Sequence, residues 1–221
     1  MKKKTKDYLK FTNIEIYQDD KMFCINSDTA ILGHSLKLKE GLRILDIGTN
    51  NGALLLYASR FKPKTLVGID INDKALELAK ENLSMNNIEA KLYHSDLKDY
   101  HDEAFDVIIT NPPFFKCNNL KDNEDKKLAM FDIMLPLDEL FKGFKRLLKD
   151  NGSIFMIYEA TRLNEIYLKC IEYSFKLMEL TMVYDNNKPY AKRVLCKLKK
   201  GPLSEIKIHK PIIIKNGTIN F

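Results

Sequence analysis

The chain has 221 residues, of which 45% are hydrophobic and 30% are charged, so it is long enough for one α/β core. It contains no apolar run near the roughly 20 residues of a membrane span, and its basic N-terminus lacks the apolar segment of a secretory signal, so we expect a cytoplasmic protein. The net charge of +6 favours a polyanionic partner, but 36 basic residues against 30 acidic ones do not establish one.

Residues 1–40 are interpreted as an N-terminal extension, with a short hairpin and a helix that pack on the core. The core spans residues 41–200, where short apolar runs alternate with helical periods. Five runs predict buried strands, namely LRILDIG (42–48), TLVGIDI (65–71), AKLYHSD (90–96), FDVIIT (105–110) and SIFMIYE (153–159). Helical periods occupy 53–61, 72–87, 137–152 and 161–173. Asn72 is the expected N-cap of the second helix, and Gly152 is expected just past the end of the third.

Two further strands, KLMELTMVYD (176–185) and KRVLCKLKK (192–200), flank the turn-forming NNKPYA. Strands that alternate with helices imply a parallel sheet with helices on both faces. We therefore predict an α/β fold: a doubly wound, mostly parallel seven-stranded sheet with an antiparallel C-terminal edge strand. Residues 201–221 form a tail of unassigned structure, and the polar segment 116–127 is expected to be a mobile loop.

Ligands of such sheets bind beyond the carboxyl ends of the strands, and the polar segment DIGTNNG (46–52) follows the first strand there. Its residues Gly48 and Gly52 let the backbone approach a ligand closely, and the helix that follows begins with unpaired N–H groups. A tight strand-to-helix turn without a ligand would use the same glycines.

Two acidic residues end the next two strands. Asp70 follows Gly48 at close to the roughly 20-residue spacing at which an acid of dinucleotide folds accepts the ribose hydroxyls. Asp96 ends the third strand, where a carboxylate or nearby backbone can accept from an adenine amino group. Each of these acids also fits an ordinary surface position in a loop.

The segment Asn111-Pro112-Pro113-Phe114-Phe115 carries the most specific chemistry. The exocyclic amine of adenine is a poor nucleophile because its lone pair is delocalised into the ring. The Asn111 side-chain oxygen and the Pro112 carbonyl can accept from its two N–H bonds, and proline rigidity holds that carbonyl in place beforehand. Phe114 can stack on the base. The alternative is a Pro-terminated strand with its aromatic rings in the core, which suits Phe115 equally well.

Together these segments resemble the Rossmann-type S-adenosylmethionine-dependent methyltransferases of the amino-methylating NPP-aromatic group, over about residues 22–199. Within that group the chain is similar to the bacterial tRNA adenine-N6 methyltransferases that modify the adenine immediately 3′ of the anticodon in valine tRNA. The closer match rests on NSDTAILGHSL, NPPFF and KPYAKRVLCKL. The resemblance implies S-adenosyl-L-methionine as cofactor, tRNA as partner, and direct in-line methyl transfer without a metal or a covalent enzyme intermediate. We also expect a monomer.

The resemblance assigns roles to individual residues. Those implied around the cofactor are Asp46, Gly48 and Gly52 at its methionyl part, Asp70 on its ribose, Asp96 near its adenine, and Asp28 with Thr29 closing the pocket. Asn50, Ile71 and Asn111 are also expected to bind the cofactor. Asn111, Pro112, Pro113 and Phe114 would hold the target base. The family has a glycine where this chain has Asn50. Because Asn tolerates left-handed backbone angles, we expect altered cofactor contact there and no loss of the pocket.

Lys188, Lys192 and Arg193 are predicted RNA phosphate contacts, although any single lysine also fits a solvated surface. Three other activities remain open: rRNA guanine-N2 methylation, protein-glutamine N5 methylation, and RNA binding by a non-catalytic module that retains the cofactor pocket. Only Asn50 favours the last of these. The scattered cysteines and histidines predict neither a zinc site nor a disulfide framework; they are Cys24, Cys117, Cys170, Cys196, His34, His94, His101 and His209.

Overall fold

The computed structural model describes residues 4–19, 25–112, 135–186 and 188–221. Within these ranges the helices are α1 (Ser27–Ser35), α2 (Ala53–Ser59), α3 (Asp73–Met85), α4 (Leu137–Leu147) and α5 (Leu163–Tyr173). The strands are β1 (Lys4–Tyr8), β2 (Glu15–Asp19), β3 (Arg43–Ile47), β4 (Thr65–Asp70), β5 (Lys91–His94), β6 (Phe105–Thr110), β7 (Leu148–Glu159), β8 (Phe175–Asp185), β9 (Ala191–Lys200), β10 (Lys207–Ile208), β11 (Ile212–Lys215) and β12 (Thr218–Asn220).

The central sheet has the strand order β5-β4-β3-β6-β7-β9-β8. Neighbours from β5 through β7 pair in parallel, whereas β9 pairs antiparallel with both β7 and β8. This arrangement confirms the predicted fold class. It differs in one detail, because the antiparallel strand β9 lies inside the sheet and not at its edge. After β7 the chain continues through α5 and forms β8 one strand position away from β7. The chain then reverses, and β9 occupies the position between β7 and β8.

The tail after residue 200 extends the sheet beyond β8. Strands β10 and β11 pair in parallel with successive parts of β8, and β12 folds back on β11. Ile212 and Ile219 of this tail are buried. The tail therefore covers backbone groups of β8 that an edge strand would expose.

Helix α4 is shorter than predicted. It ends at Leu147, and β7 begins at Leu148, which pairs with Phe105. Gly152 lies within β7, at a shift in register between β6 and β7, and so it is not a helix cap. A Cβ atom at Gly152 would lie 2.7 Å from the Leu148 side chain, so packing explains this glycine and helix termination does not.

Apolar side chains fill both faces of the sheet. One cluster joins the sheet to α4 and α5, through residues such as Phe141, Phe144 and Ile166. The second joins it to α1 and α2, through residues such as Ile31 and Leu55. Among the helices in the described ranges, none combines the length and the apolar character needed to cross a bilayer.

Candidate active site

The carboxyl ends of three parallel strands meet at one edge of the sheet. Ile47 at the end of β3 is the register partner of Ile69 in β4 and of Thr110 in β6. The Thr110 hydroxyl also donates a hydrogen bond of 2.9 Å to the Ile47 carbonyl. The residues that follow, Gly48 and Asn111, therefore start from adjacent positions.

Asp46 is fully buried in β3 directly below this edge. Its Oδ2 accepts a 2.8 Å hydrogen bond from the Thr49 hydroxyl, while its Oδ1 has no partner among the described residues. Burial raises the pKa of this carboxyl to about 7, and the nearby charge of Asp70 adds to the effect. A donor or a cation brought by a ligand would relieve this unfavourable burial.

The loop after β3 has three residues in the left-handed region: Gly48 with φ 71°, Asn50 with φ 47° and Gly52 with φ 80°. Asn50 thus adopts the conformation for which the family uses glycine, as expected from its tolerance of this region. A Cβ atom at Gly48 would meet nothing within 4 Å, so this part of the loop borders open space. A Cβ atom at Gly52 would contact Ala79 of α3, so that glycine also permits close packing.

Asp70 orients this loop. Its two carboxylate oxygens accept backbone N–H hydrogen bonds from Asn50, at 2.8 Å, and from Asn72, at 3.0 Å. Burial raises the pKa of Asp70, and these hydrogen bonds oppose that rise. Asn72 is the N-cap of α3, as predicted, and its side chain accepts from Lys74 N. Ile71, next to Asp70, has 39% of its surface exposed.

Asp96 lies at the far side of the same edge, after β5. Its Oδ1 accepts a 3.1 Å hydrogen bond from Lys98 N, and its Oδ2 lies 3.2 Å from Lys98 Nζ. The adenine contact inferred for Asp96 and the ribose contact inferred for Asp70 remain predictions.

Asn111 directly follows β6 and is half-buried, and Pro112 is buried. The Asn111 Nδ2 donates a 3.1 Å hydrogen bond to the Thr29 hydroxyl oxygen at the start of α1. The structure therefore brings the N-terminal segment NSDT to the end of β6. Pro113 and Phe114 lie outside the described residues, so their predicted roles stay predictions.

Asp28 and Arg193 form a buried ion pair, with 2.9 Å between Asp28 Oδ2 and Arg193 Nε. Their side chains are 8% and 7% exposed, and Glu159 Oε1 lies 3.9 Å from Arg193 Nη1. This pairing corrects the expectation that Arg193 contacts RNA phosphates, because its guanidinium is used to hold α1 against β9. The sequence could not show this, since the two partners are 165 positions apart. Lys188 and Lys192 are exposed.

Two asparagines that the sequence analysis did not select also shape the site. Asn26 is the N-cap of α1, and its Oδ1 accepts from both the backbone N and the hydroxyl of Thr29. Asn82 of α3 is fully buried and donates to the carbonyls of Asn51, at 3.0 Å, and Tyr17, at 3.1 Å. Its position on the apolar face of a helix was the available signal for Asn82, because a buried amide needs partners.

The residues of this edge fit the cofactor that the resemblance implies. Besides Asp46 Oδ1, the buried Asn51 Nδ2 has no hydrogen-bond partner in the described part of the chain. Each unpartnered polar group costs about 1–3 kcal/mol when buried, and a polar ligand beside the loop can supply a partner. The described residues contain no group of three or more His, Cys, Asp or Glu side chains arranged to hold a metal ion.

Comparisons with known proteins agree with this geometry. The sequence pattern of the family described as "Methyltransferase small domain" matches residues 13–190. The chain is 26% identical over 208 residues to the tRNA1(Val) (adenine(37)-N6)-methyltransferase of Dyadobacter fermentans, covering 92% of this chain and 87% of that protein. It is 32% identical over 157 residues to a protein of the same name from Christiangramia forsetii, covering 67% of this chain and 65% of that one.

A solved structure shares the fold. The 16S rRNA N2 G1207 methyltransferase of T. thermophilus, in complex with AdoMet and guanosine, superposes with a TM-score of 0.64 at 18% identity, covering 90% of this chain and 50% of that one. The family pattern spans most of the chain, and the mostly parallel sheet is the fold that the resemblance predicted. The chain therefore belongs to the methyltransferase small domain family.

Proposed function

We propose that the protein transfers a methyl group from S-adenosyl-L-methionine to the exocyclic N6 amine of an adenine in tRNA, at the position that its curated relatives' names give as adenine 37 of tRNA1(Val). It acts in the cytoplasm, as a monomer and without a metal ion. The observation that carries this proposal is the position of Asn111. Asn111 directly follows the end of β6, which lies beside the end of β3 and therefore beside Gly48. An acceptor for the amine thus lies next to a loop that fits the cofactor.

The residues at the ends of β3 and β4 and in the loop after β3 bind and orient the cofactor in this proposal. Asp46 and Asn51 provide a buried acceptor and donor, and Asp70 holds the loop backbone through Asn50. S-adenosyl-L-methionine supplies a methyl group on a sulfonium sulfur: the S–CH3 bond breaks as the N6–C bond forms, and a proton of the amine passes to water.

The residues after β6 activate the amine. The Asn111 Oδ1 and the Pro112 carbonyl accept hydrogen bonds from the two N–H groups of the adenine amine, which draws its nitrogen toward a pyramidal shape. Phe114 stacks on the base, at about 1–3 kcal/mol for such an interaction. The target adenine leaves its stack in the anticodon loop to reach this position, and the exposed Lys188 and Lys192 contact RNA phosphates.

The test is incubation of the purified protein with labelled S-adenosyl-L-methionine and unmodified total tRNA, followed by nucleoside mass spectrometry. We expect labelled N6-methyladenosine from one tRNA species. A tRNA transcript with guanine in place of the target adenine is the matched control and should stay unlabelled.

Other products would overturn specific parts of the proposal. N2-methylguanosine from ribosomal RNA would show that the target base is guanine and not adenine, while the chemistry at an exocyclic amine would stand. Labelled glutamine in release-factor protein would show that the substrate is a protein and not RNA. Cofactor binding without turnover on any RNA or protein substrate would indicate a non-catalytic binding module.

A further inference from the structure

The orientation of the Asn111 amide decides what this residue can do to an amine. A side-chain amide has an acceptor at Oδ1 and two donors at Nδ2. Only the oxygen can accept from an amine N–H, and a flipped amide would place N–H donors against the N–H groups of the substrate. A rate-enhancing Asn111 therefore needs a neighbour that selects one of its two orientations.

Thr29 is placed to make this selection. Its hydroxyl lies 3.1 Å from Asn111 Nδ2 and 3.3 Å from Asn26 Oδ1. An amide oxygen can only accept, so the single hydroxyl proton of Thr29 points to Asn26. The Thr29 oxygen then presents lone pairs to Asn111, which must turn its NH2 group toward Thr29 and its oxygen away from it.

Asn26 is itself held in one orientation. Its Oδ1 accepts a 3.0 Å hydrogen bond from Thr29 N as the N-cap of α1. A reversed Asn26 amide would place donors against this backbone N–H. Asn111 Nδ2 thus donates to the Thr29 hydroxyl oxygen, and that hydroxyl donates to Asn26 Oδ1. The constraint on orientation passes the other way, from the helix cap to Asn111.

The first turn of α1 is also anchored in space. Asp28, next to Thr29, pairs with Arg193 of β9 at 2.9 Å, and both side chains are buried. Below that turn, Gly33 packs so closely on Tyr57 of α2 that a Cβ atom would lie 2.2 Å from the ring. Because the helix is held at both ends, Thr29 can constrain Asn111 before any substrate arrives.

We propose that Thr29 is a positioning residue, which together with Asn26 fixes the Asn111 amide with Oδ1 directed at the substrate amine. This inference rests on the proposed function, in which Asn111 accepts from that amine. It gives Thr29 a role distinct from closing the cofactor pocket, because Thr29 acts on the rate through Asn111.

The kinetic test compares Thr29→Val, which removes the hydroxyl at nearly constant volume, with Thr29→Ser, which keeps it. We expect Thr29→Val to lower kcat by about 10–100-fold, because the Asn111 amide is then no longer held in its reactive orientation. The affinity for S-adenosyl-L-methionine, measured by calorimetry, should change by less than about threefold. Thr29→Ser should recover most of the lost kcat.

Two further variants make the test specific. Thr12→Val removes a hydroxyl that donates a 2.8 Å hydrogen bond to Leu9 O in the N-terminal turn, and it should leave kcat unchanged. In an Asn111→Ala background, Thr29→Val should cost no additional rate, because its effect passes through the missing amide. An additional tenfold loss in that background would overturn the proposal.

A measurement without substrate separates this inference from the proposed function. The Asn111 side-chain amide signal, identified by its loss in Asn111→Ala, should show one Nδ2 proton protected from solvent exchange in the wild-type protein and in Thr29→Ser. Thr29→Val should remove that protection. Equal protection in all three proteins would overturn the role of Thr29, whatever substrate the enzyme uses. A fall in cofactor affinity as large as the fall in kcat would also overturn it, in favour of pocket closure.

Discussion

Two polar regions lie at the same edge of the sheet, and they differ in how their hydrogen bonds are satisfied. At the end of β3 and in the loop that follows it, Asp46 Oδ1 and Asn51 Nδ2 are buried without partners among the described residues. At the end of β6, the Asn111 NH2 group is paired with Thr29, which is paired with Asn26. The first region is complementary to a ligand with polar groups of its own, and the second is organised before a ligand binds.

This difference predicts that the first region determines cofactor affinity and that the second determines the rate of methyl transfer. A ligand that supplies hydrogen-bond partners to buried, unpartnered groups binds more tightly. Changes to these groups at the end of β3 and in the loop after it should therefore alter cofactor affinity and the stability of the free protein. Holding an acceptor in its reactive orientation lowers the transition-state barrier, so changes at Asn111 should act on kcat. Asn111→Ala, Asp46→Asn and Gly48→Ala test this separation, and Arg193→Met tests the ion pair that anchors α1.

Asn111→Ala should have the largest effect. It removes the acceptor that acts on the reacting amine, so we expect kcat to fall by on the order of 10³-fold. Cofactor affinity, measured by calorimetry, should stay within about threefold of the wild-type value. A collapse of cofactor binding would contradict the role given to Asn111 and would show that both regions determine cofactor affinity.

Arg193→Met should have the largest effect on stability. It leaves Asp28 buried without its ion-pair partner, which typically costs about 3–5 kcal/mol in the free energy of unfolding. Urea denaturation measures this loss. Lys192→Met on the same strand alters an exposed side chain and should change the free energy of unfolding by less than about 0.5 kcal/mol. Equal values for both variants would show that this pair does not anchor α1.

Asp46→Asn should stabilise the free protein at pH 8. The folded-state pKa of about 7 exceeds the ordinary value of 3.8, so folding favours the protonated carboxyl. The stabilisation from this protonation is complete below about pH 4 and is lost as the pH rises through 7. An amide avoids that loss, so the variant should gain about 2–4 kcal/mol over the wild type at pH 8 and little at pH 4.

Urea denaturation of both proteins at pH 4 and pH 8 measures this gain. The pKa of Asp70 is also raised, and because the charges of the two carboxyls interact, the difference reports the titration of Asp46 together with its coupling to Asp70. Cofactor affinity should fall in Asp46→Asn, because the ligand loses a carboxylate partner. A variant whose stability follows the same pH dependence as the wild type would show that Asp46 does not titrate in this range.

Gly48→Ala and Gly41→Ala form a matched pair with the smallest expected effect. Both glycines have positive φ, 71° and 76°, and a Cβ atom at either would meet nothing within 4 Å. Each substitution should lower the free energy of unfolding by about 1 kcal/mol through backbone strain. Only Gly48→Ala should also weaken cofactor binding, because its methyl group enters the open space beside the loop. Equal cofactor affinity in the two variants would place the ligand elsewhere.

Several features could be predicted because they depend on residues close together in sequence. The period of apolar residues located β3, β4, β6 and α3, and Asn72 caps α3 through Lys74, only two positions away. Parallel strands place their carboxyl ends at one edge, so the order of elements was enough to predict that Asp46, Gly48, Asp70 and Asn111 lie at the same edge of the sheet. Asn50 at φ 47° also follows from a local preference.

Other features depend on pairing between distant segments, which a local pattern does not encode. Leu148 begins a strand because Phe105 offers it a partner, so a helix predicted to reach Gly152 ended early. The place of β9 between β7 and β8, and the pairing of the tail with β8, follow from which strand edges remained free.

The chemistry of the site shows the same division. The sequence by itself determined the residue types, an Asn-Pro-Pro segment after a strand and acids at strand ends, because these follow from local order along the chain. Only the tertiary structure decided that Thr29 accepts a hydrogen bond from Asn111, 82 positions away, and that Arg193 forms a buried ion pair with Asp28. A hydrogen bond or an ion pair is set by distance in space, and folding alone brings those atoms together.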